Sequence, residues 1–171
     1  MSRPYTPGGR FSTDFEHGEI HDAITKDLTN PVGTSVLWYE FDSASTVVDP
    51  IYDVGSSAGV GRRWFNPVNV DVIRAVIKHG TVEHSHEGFY NSDSVHLTID
   101  KEELSRALPD LFNNPDPLNR DRIVWQGQVY RPLLSQLRGI VLEKFTVVSL
   151  DCRQIMPEEM VNDSQFQAYA N

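Results

Sequence analysis

Apolar and polar positions alternate most cleanly at residues 94–100, where Val95, Leu97 and Ile99 share one face and His96 and Thr98 the other. That two-residue period predicts a half-buried strand. The same period runs through 67–72, with Val68, Val70 and Val72 opposite Asn69 and Asp71. It slips at Ile73, because Ile73 and Ile77 fall out of phase with Val72 and Val76. A bulge near Ile73 absorbs such a slip, and a short helix is the competing reading. Residues 36–41 are aromatic and branched and predict a further strand. Residues 120–132 place two short strands around Gln126 and Gly127, a tight hairpin signal. Residues 139–152 are long enough for one barrel strand with a bend.

Helical spacing is weaker. Ile20, Ala23, Ile24 and Leu28 form a short apolar stripe that Asn30 and Pro31 end. Asp100, with Glu103 three residues on, predicts an N-cap for a short helix closed before Pro109. The residues predict a turn at 79–81 and a Pro/Asn/Asp-rich loop at 109–119, while 83–91 is polar with Gly88 inside it. The tail from Pro157 has weak helical spacing and is expected to be mobile.

No strand–helix–strand rhythm and no internal repeat is present, which argues against a doubly wound nucleotide fold. The expected fold is mainly β. It is a small antiparallel β-barrel or sandwich with two or three short helices, a long Gly-rich loop and extended termini. Residues 1–18 form an extended N-terminal arm whose Tyr5, Phe11 and Phe15 need a surface to cover them. Residues 19–156 form the barrel domain, with the long loop at 42–66, and 157–171 the C-terminal tail.

Composition narrows this picture. A chain of 171 residues, 39% apolar and 23% charged, suits one domain with one core. No run of about 18 apolar residues predicts a membrane span. The residues after Met1 lack the apolar core of a secretory signal. Cys152 is the sole cysteine, so no disulfide forms within the chain. Asp151 beside it disfavours a thiolate, and a buried cysteine is the plainer reading. The net charge of −9 repels phosphate backbones and argues against gripping nucleic acid. It is compatible with DNA passing nearby without sticking.

The long loop is the richest stretch. It carries Gly55, Gly59 and Gly61 and closes on Arg62, Arg63 and Trp64. It lacks the Gly-Lys-Ser/Thr ending of a phosphate loop, and strand rather than helix follows it. No Gly-x-Ser-x-Gly elbow occurs. His84 and His86 share a strand face, and His96 could lie on a paired strand, so a metal-binding enzyme built on these three is one alternative. A solvated strand face is the plainer reading. The loop's small residues and its Arg-Arg-Trp ending point to a protein contact. In that reading Asp49, Tyr52, Asp53, Arg62, Arg63 and Trp64 meet a neighbouring subunit, and Gly55, Gly59 and Gly61 let the loop move. The bland reading is a solvated loop whose Trp64 packs in its own core.

Four segments carry a resemblance: 49–64, 88–98, the hairpin 121–130 and the tail 157–163. Together they resemble head-to-tail connector proteins of long-tailed actinobacterial phages, nearest to the head-to-tail stopper. The resemblance implies a noncatalytic virion protein of the neck, made in the host cytoplasm, with no cofactor. It implies a ring of six or twelve copies between the portal with its adaptor and the tail terminator or tail tube. DNA would pass through that ring without sequence-specific binding. A tail terminator or an adaptor ring of the same neck is the nearest alternative.

Overall fold

The computed structural model describes residues 15–16, 18–19, 21–23, 34–46, 61–85, 88–109, 111, 119–141, 144–160 and 163–169. Seven strands make one antiparallel sheet: β1 (Thr34–Tyr39), β2 (Val68–Val72), β3 (Arg74–Ser85), β4 (Gly88–Asp100), β5 (Arg122–Trp125), β6 (Gln128–Val141) and β7 (Lys144–Gln154). Their order is β2-β1-β5-β6-β7-β4-β3. The two outermost strands, β2 and β3, are consecutive in the chain, with only Ile73 between them. The sheet must therefore curl until its edges meet at that corner, where the Ile73 N–H donates to the Thr98 carbonyl at 2.9 Å. The fold is mainly β, as expected, and the curl makes it barrel-like rather than a sandwich.

Alternation explains the core. Val36, Trp38, Val70, Val72, Val95, Leu97, Ile99, Ile123, Val148 and Leu150 are buried together inside the curl. The slip at Ile73 is the corner itself: the strand changes sheet edge there instead of bulging within one edge. Helix α1 (Lys101–Ala107) plugs one end with Leu104, and Leu108 just past the helix is buried beside it. Asp100 is its N-cap and accepts from the Glu103 N–H at 3.3 Å. Residues 15–16, 18–19 and 21–23 are helical, so helix begins before Glu19. His21 from this stretch brings Nε2 to 3.0 Å from Asp100 Oδ2 and 3.2 Å from Glu102 Oε2.

Asp121 ties β1 to β5. Its carboxylate accepts from the Trp38 indole at 3.0 Å and the Phe41 N–H at 2.9 Å. Burial pushes this carboxyl up to about 6, against the pull of those two donors. The Gln126–Gly127 turn has φ of 50° and 76°, the primed geometry that matches strand twist.

Two expectations are corrected, at 79–81 and at 139–152. The turn at 79–81 is an irregularity inside β3: the register shifts between Lys78 and Thr81, and Asp93 holds it by accepting from the Gly80 N–H at 3.2 Å. The polar stretch 83–91 is the distal part of the β3–β4 hairpin, paired from Glu83↔Tyr90 to Ser85↔Gly88. The single bent strand at 139–152 is two strands, with Val141↔Lys144 closing a β6–β7 hairpin. Gly139 is not the turn; it sits within β6 at φ 66°.

Candidate subunit-contact surface

The long loop is rooted by a bridge between Phe41 and Trp64. The Asp42 N–H donates to the Arg63 carbonyl and the Phe65 N–H to the Glu40 carbonyl, both at 2.9 Å. Asp42 Oδ1 accepts from the Ala44 and Ser45 N–H groups, each at 3.0 Å, which turns the chain outward. Hydrogen bonds from the Ser45 side chain and then its N–H, aided by the Arg63 charge, hold the Asp42 carboxyl below the usual range. The Arg63 N–H in turn donates to Thr46 Oγ1 at 3.0 Å.

Trp64 is only 4% exposed. Its indole N–H donates to the Arg120 carbonyl at 2.9 Å. Its backbone is clasped by Gln165, whose Oε1 accepts from the Trp64 N–H at 2.9 Å and whose Nε2 donates to the Trp64 carbonyl at 3.0 Å. The ring meets Phe166 edge-on at 4.9 Å and Phe41 at 5.9 Å, and Arg122 lies 5.1 Å over its face.

Arg62 reaches the tail as well. Its Nε and Nη2 donate to Asp163 Oδ1 and Oδ2 at 3.0 and 3.2 Å. Asp163 is 0% exposed. Burial pushes its carboxyl upward while Arg62 and Arg122 pull it back. The tail is folded into two short 3-10 helices, Pro157–Met160 and Ser164–Tyr169. Met160 and Phe166 are buried with Tyr39, Trp64, Val124, Val129 and Ile155 in a second core cluster. The described part of the tail is thus a docked strap.

Of the loop residues expected to contact a neighbour, Asp49, Tyr52, Asp53, Gly55 and Gly59 lie outside the described residues. Gly61 is half-buried at the loop root. Arg62 and Trp64 are engaged inside the subunit, and in Trp64 the core packing of the bland reading is what the structure has. Arg63 is exposed and borders a polar cleft of about 360 Å³ with Asp42, Ser45, Trp64, Ser164 and Gln165.

His84 and His96 do not converge. Register pairs His84 with Phe89 and His96 with Val76, which puts them seven residues apart along β4, roughly 23 Å. His96 Nδ1 contacts Asp151 Oδ1 at 2.7 Å. His86 lies outside the described residues. Among the described residues no three His, Cys, Asp or Glu gather as metal ligands. Cys152 is buried, and burial raises its thiol far above the usual range.

Two features went unread in the sequence. First, β4 and β7 pair only from Ser94↔Arg153 to Asp100↔Val147. Beyond Ser94 the β3–β4 hairpin runs on to Gly88, roughly 20 Å. Beyond Val147 the β6–β7 hairpin runs on to Lys144, roughly 10 Å, at the opposite end. Second, β5 pairs with β6 only through Gln128, Val129 and Tyr130. From Arg131 onward that edge of β6 carries no partner strand among the described residues. Leu133, Leu134 and Leu137 on it are 55%, 48% and 43% exposed. The one sequence signal was Pro132, a residue confined to edges and bulges.

No protein-family model matches the chain. No curated protein matches it either. Among solved structures, it is similar to a chain of one described as "Virion of native gene transfer agent (GTA) particle", at 14% identity and a TM-score of 0.41. That superposition covers 71% of this chain and 94% of the other.

Proposed function

We propose that this chain is a structural protein of a phage virion, a ring-forming stopper in the neck between the portal with its adaptor and the tail. The observation that carries the ring is the pair of hairpins projecting from opposite ends of the β4–β7 ladder. Two-stranded ribbons are marginal in water unless something packs on them. A subunit that extends one at each end is suited to neighbours on two sides, and a head-to-tail contact repeated by a closing rotation makes a ring. The neck assignment rests on the connector resemblance of segments 49–64, 88–98, 121–130 and 157–163.

The role needs no catalysis. The loop rooted at Phe41 and Trp64 is the gate, with Gly55, Gly59 and Gly61 as its hinge and Asp49, Tyr52 and Asp53 as contacts to the neighbour. Arg63 joins them from the exposed side of the root. Arg62 and Trp64 serve the same contact indirectly, by fixing where the loop leaves the barrel. A net charge of −9 lets DNA slide through a ring of such subunits. Tail attachment or DNA pressure would shift the loop between two arrangements.

Imaging assembled particles with this protein labelled tests the reading. Label at the head–tail junction is expected, on the head side of the tail tube. Label spread over the capsid or along the tail, or particles lacking the protein, would sink it. Label capping the tube would select the tail terminator instead.

A further inference from the structure

We propose that the open edge of β6 takes residues 47–54 of a second copy as an added strand. The inference rests on the ring reading and names its contact.

An unpaired strand edge is a template for another strand, and natural proteins cover, charge or shorten such edges. Among the described residues no strand pairs with the edge of β6 past Tyr130, and Leu133, Leu134 and Leu137 stand exposed along it. Its leucines also lie on both faces of the sheet. Leu137 pairs with Val148, whose side chain is in the core, whereas Leu134 pairs with Asp151. Leu133 is the extra residue where register shifts between Pro132 and Leu134. A partner packing flat on one face would leave one set of leucines in water. A strand laid along the edge flanks both.

The charges select the occupant. Residues 131–141 carry Arg131 and Arg138 and no acid, in a chain of net charge −9. Residues 47–54 are Val47, Val48, Asp49, Pro50, Ile51, Tyr52, Asp53 and Val54: two acids, no base, and side chains that favour strands. Pro50 suits an outermost strand, where one side needs no donor. Opposite charges and apolar pairs across adjacent strands each stabilise the pairing. A second β6 would instead set arginines against arginines. The contact is head-to-tail, since loop and edge are different surfaces of one chain.

Two full-length chains of different tagged mass test this, one carrying Leu137→Cys and the other Tyr52→Cys, mixed under mild oxidation. Cys152 is buried and does not compete. A disulfide between chains of unequal mass is expected. Arg138→Glu in the first chain should lower its yield about tenfold, and Asp53→Arg in the second should restore it. No cross-link in the mixture, or a Leu137→Cys chain linking mainly to itself, would each overturn the proposal. Label in the neck without this cross-link sinks the strand addition alone. The cross-link without neck label sinks the stopper reading alone.

Discussion

The guanidinium of Arg62 grips the carboxylate of Asp163 in a two-pronged fork across 101 positions of sequence. Arg62 ends the long loop, and Asp163 lies between the two short helices of the tail. The ion pair therefore locks the loop root to the strap beside it. Removing the carboxylate leaves Arg62 without its fork and Arg122 with the charge of Glu159. Asp163→Ala should cost about 3 kcal/mol, the lower end for breaking a buried pair. Chemical denaturation should show that loss, and limited proteolysis should cut the tail first. An unchanged midpoint with a protected tail would refute the lock.

Phe166 holds the same strap by packing. Its ring lies 4.9 Å from both Tyr39 and Trp64, edge-on to each. Phe166→Ala should cost about 3–5 kcal/mol, the range for losing a large buried aromatic side chain. Its effect should not add fully to that of Asp163→Ala, because both release one element. A double-mutant cycle in urea checks this, and full additivity would mean that the tail docks in two independent pieces.

The strap shows where sequence reasoning ran out. Strands whose alternation was clean, Val68 to Val72 and Val95 to Ile99, were legible because one face is buried, and Val36 to Phe41 was legible from its aromatic and branched content. The Asp100 cap and the Gln126–Gly127 turn were legible because their chemistry is local. The β6–β7 hairpin was not: the sequence around the Val141↔Lys144 pair offers no turn former, and the Leu133 bulge breaks the period. Nor was the Arg62–Asp163 pair, because no local pattern ties residues so distant in the chain. Trp64 was legible only as a choice between contact and core. Its neighbours in space, Phe166 and Gln165, come from the tail and decide for core.

Asp121 gives the fold a pH signature. Its folded-state carboxyl sits at about 6 against 3.8 ordinarily, so the folded protein holds that proton more tightly. Its stabilising contribution is complete below the ordinary value and is lost as pH rises through about 6. Asp121→Asn should flatten the stability profile between pH 4 and 6, relative to the parent protein. Thermal melting across that window measures the difference between the two. Parallel profiles would mean that the carboxyl titrates normally.

Gly139 sets the projecting β6–β7 hairpin. At φ 66° a side chain is disfavoured, and a Cβ there would stand 2.5 Å from Thr146 Oγ1. That hydroxyl already donates to the Gly139 carbonyl at 2.8 Å. Gly139→Ala should cost about 1–2 kcal/mol by strain at a special backbone position. Hydrogen exchange should quicken in β6 and β7 beyond Val147, with the β1–β5 pairing untouched. Exchange unchanged at the hairpin would show that the glycine is not needed there.

Arg62 and Arg63 are adjacent in sequence, and the structure gives them opposite duties. Arg62 points into the subunit and holds a fully buried carboxylate; Arg63 is exposed beside Asp42 at the mouth of the cleft. Arg62→Ala should lower stability, since it strands Asp163 without its fork, and Arg62→Lys should recover only part because an ammonium cannot make two parallel bonds. Arg63→Ala should leave stability within the small range of surface changes, about 0.5 kcal/mol. If the loop meets a neighbour, Arg63→Ala should instead weaken particle assembly at normal stability. Paired measurements of denaturation midpoint and infectious yield separate the two residues. An Arg63→Ala protein that assembles normally would remove Arg63 from the contact and leave it to Asp49, Tyr52 and Asp53. An Arg62→Ala protein of parental stability would mean that the loop root stands without the strap.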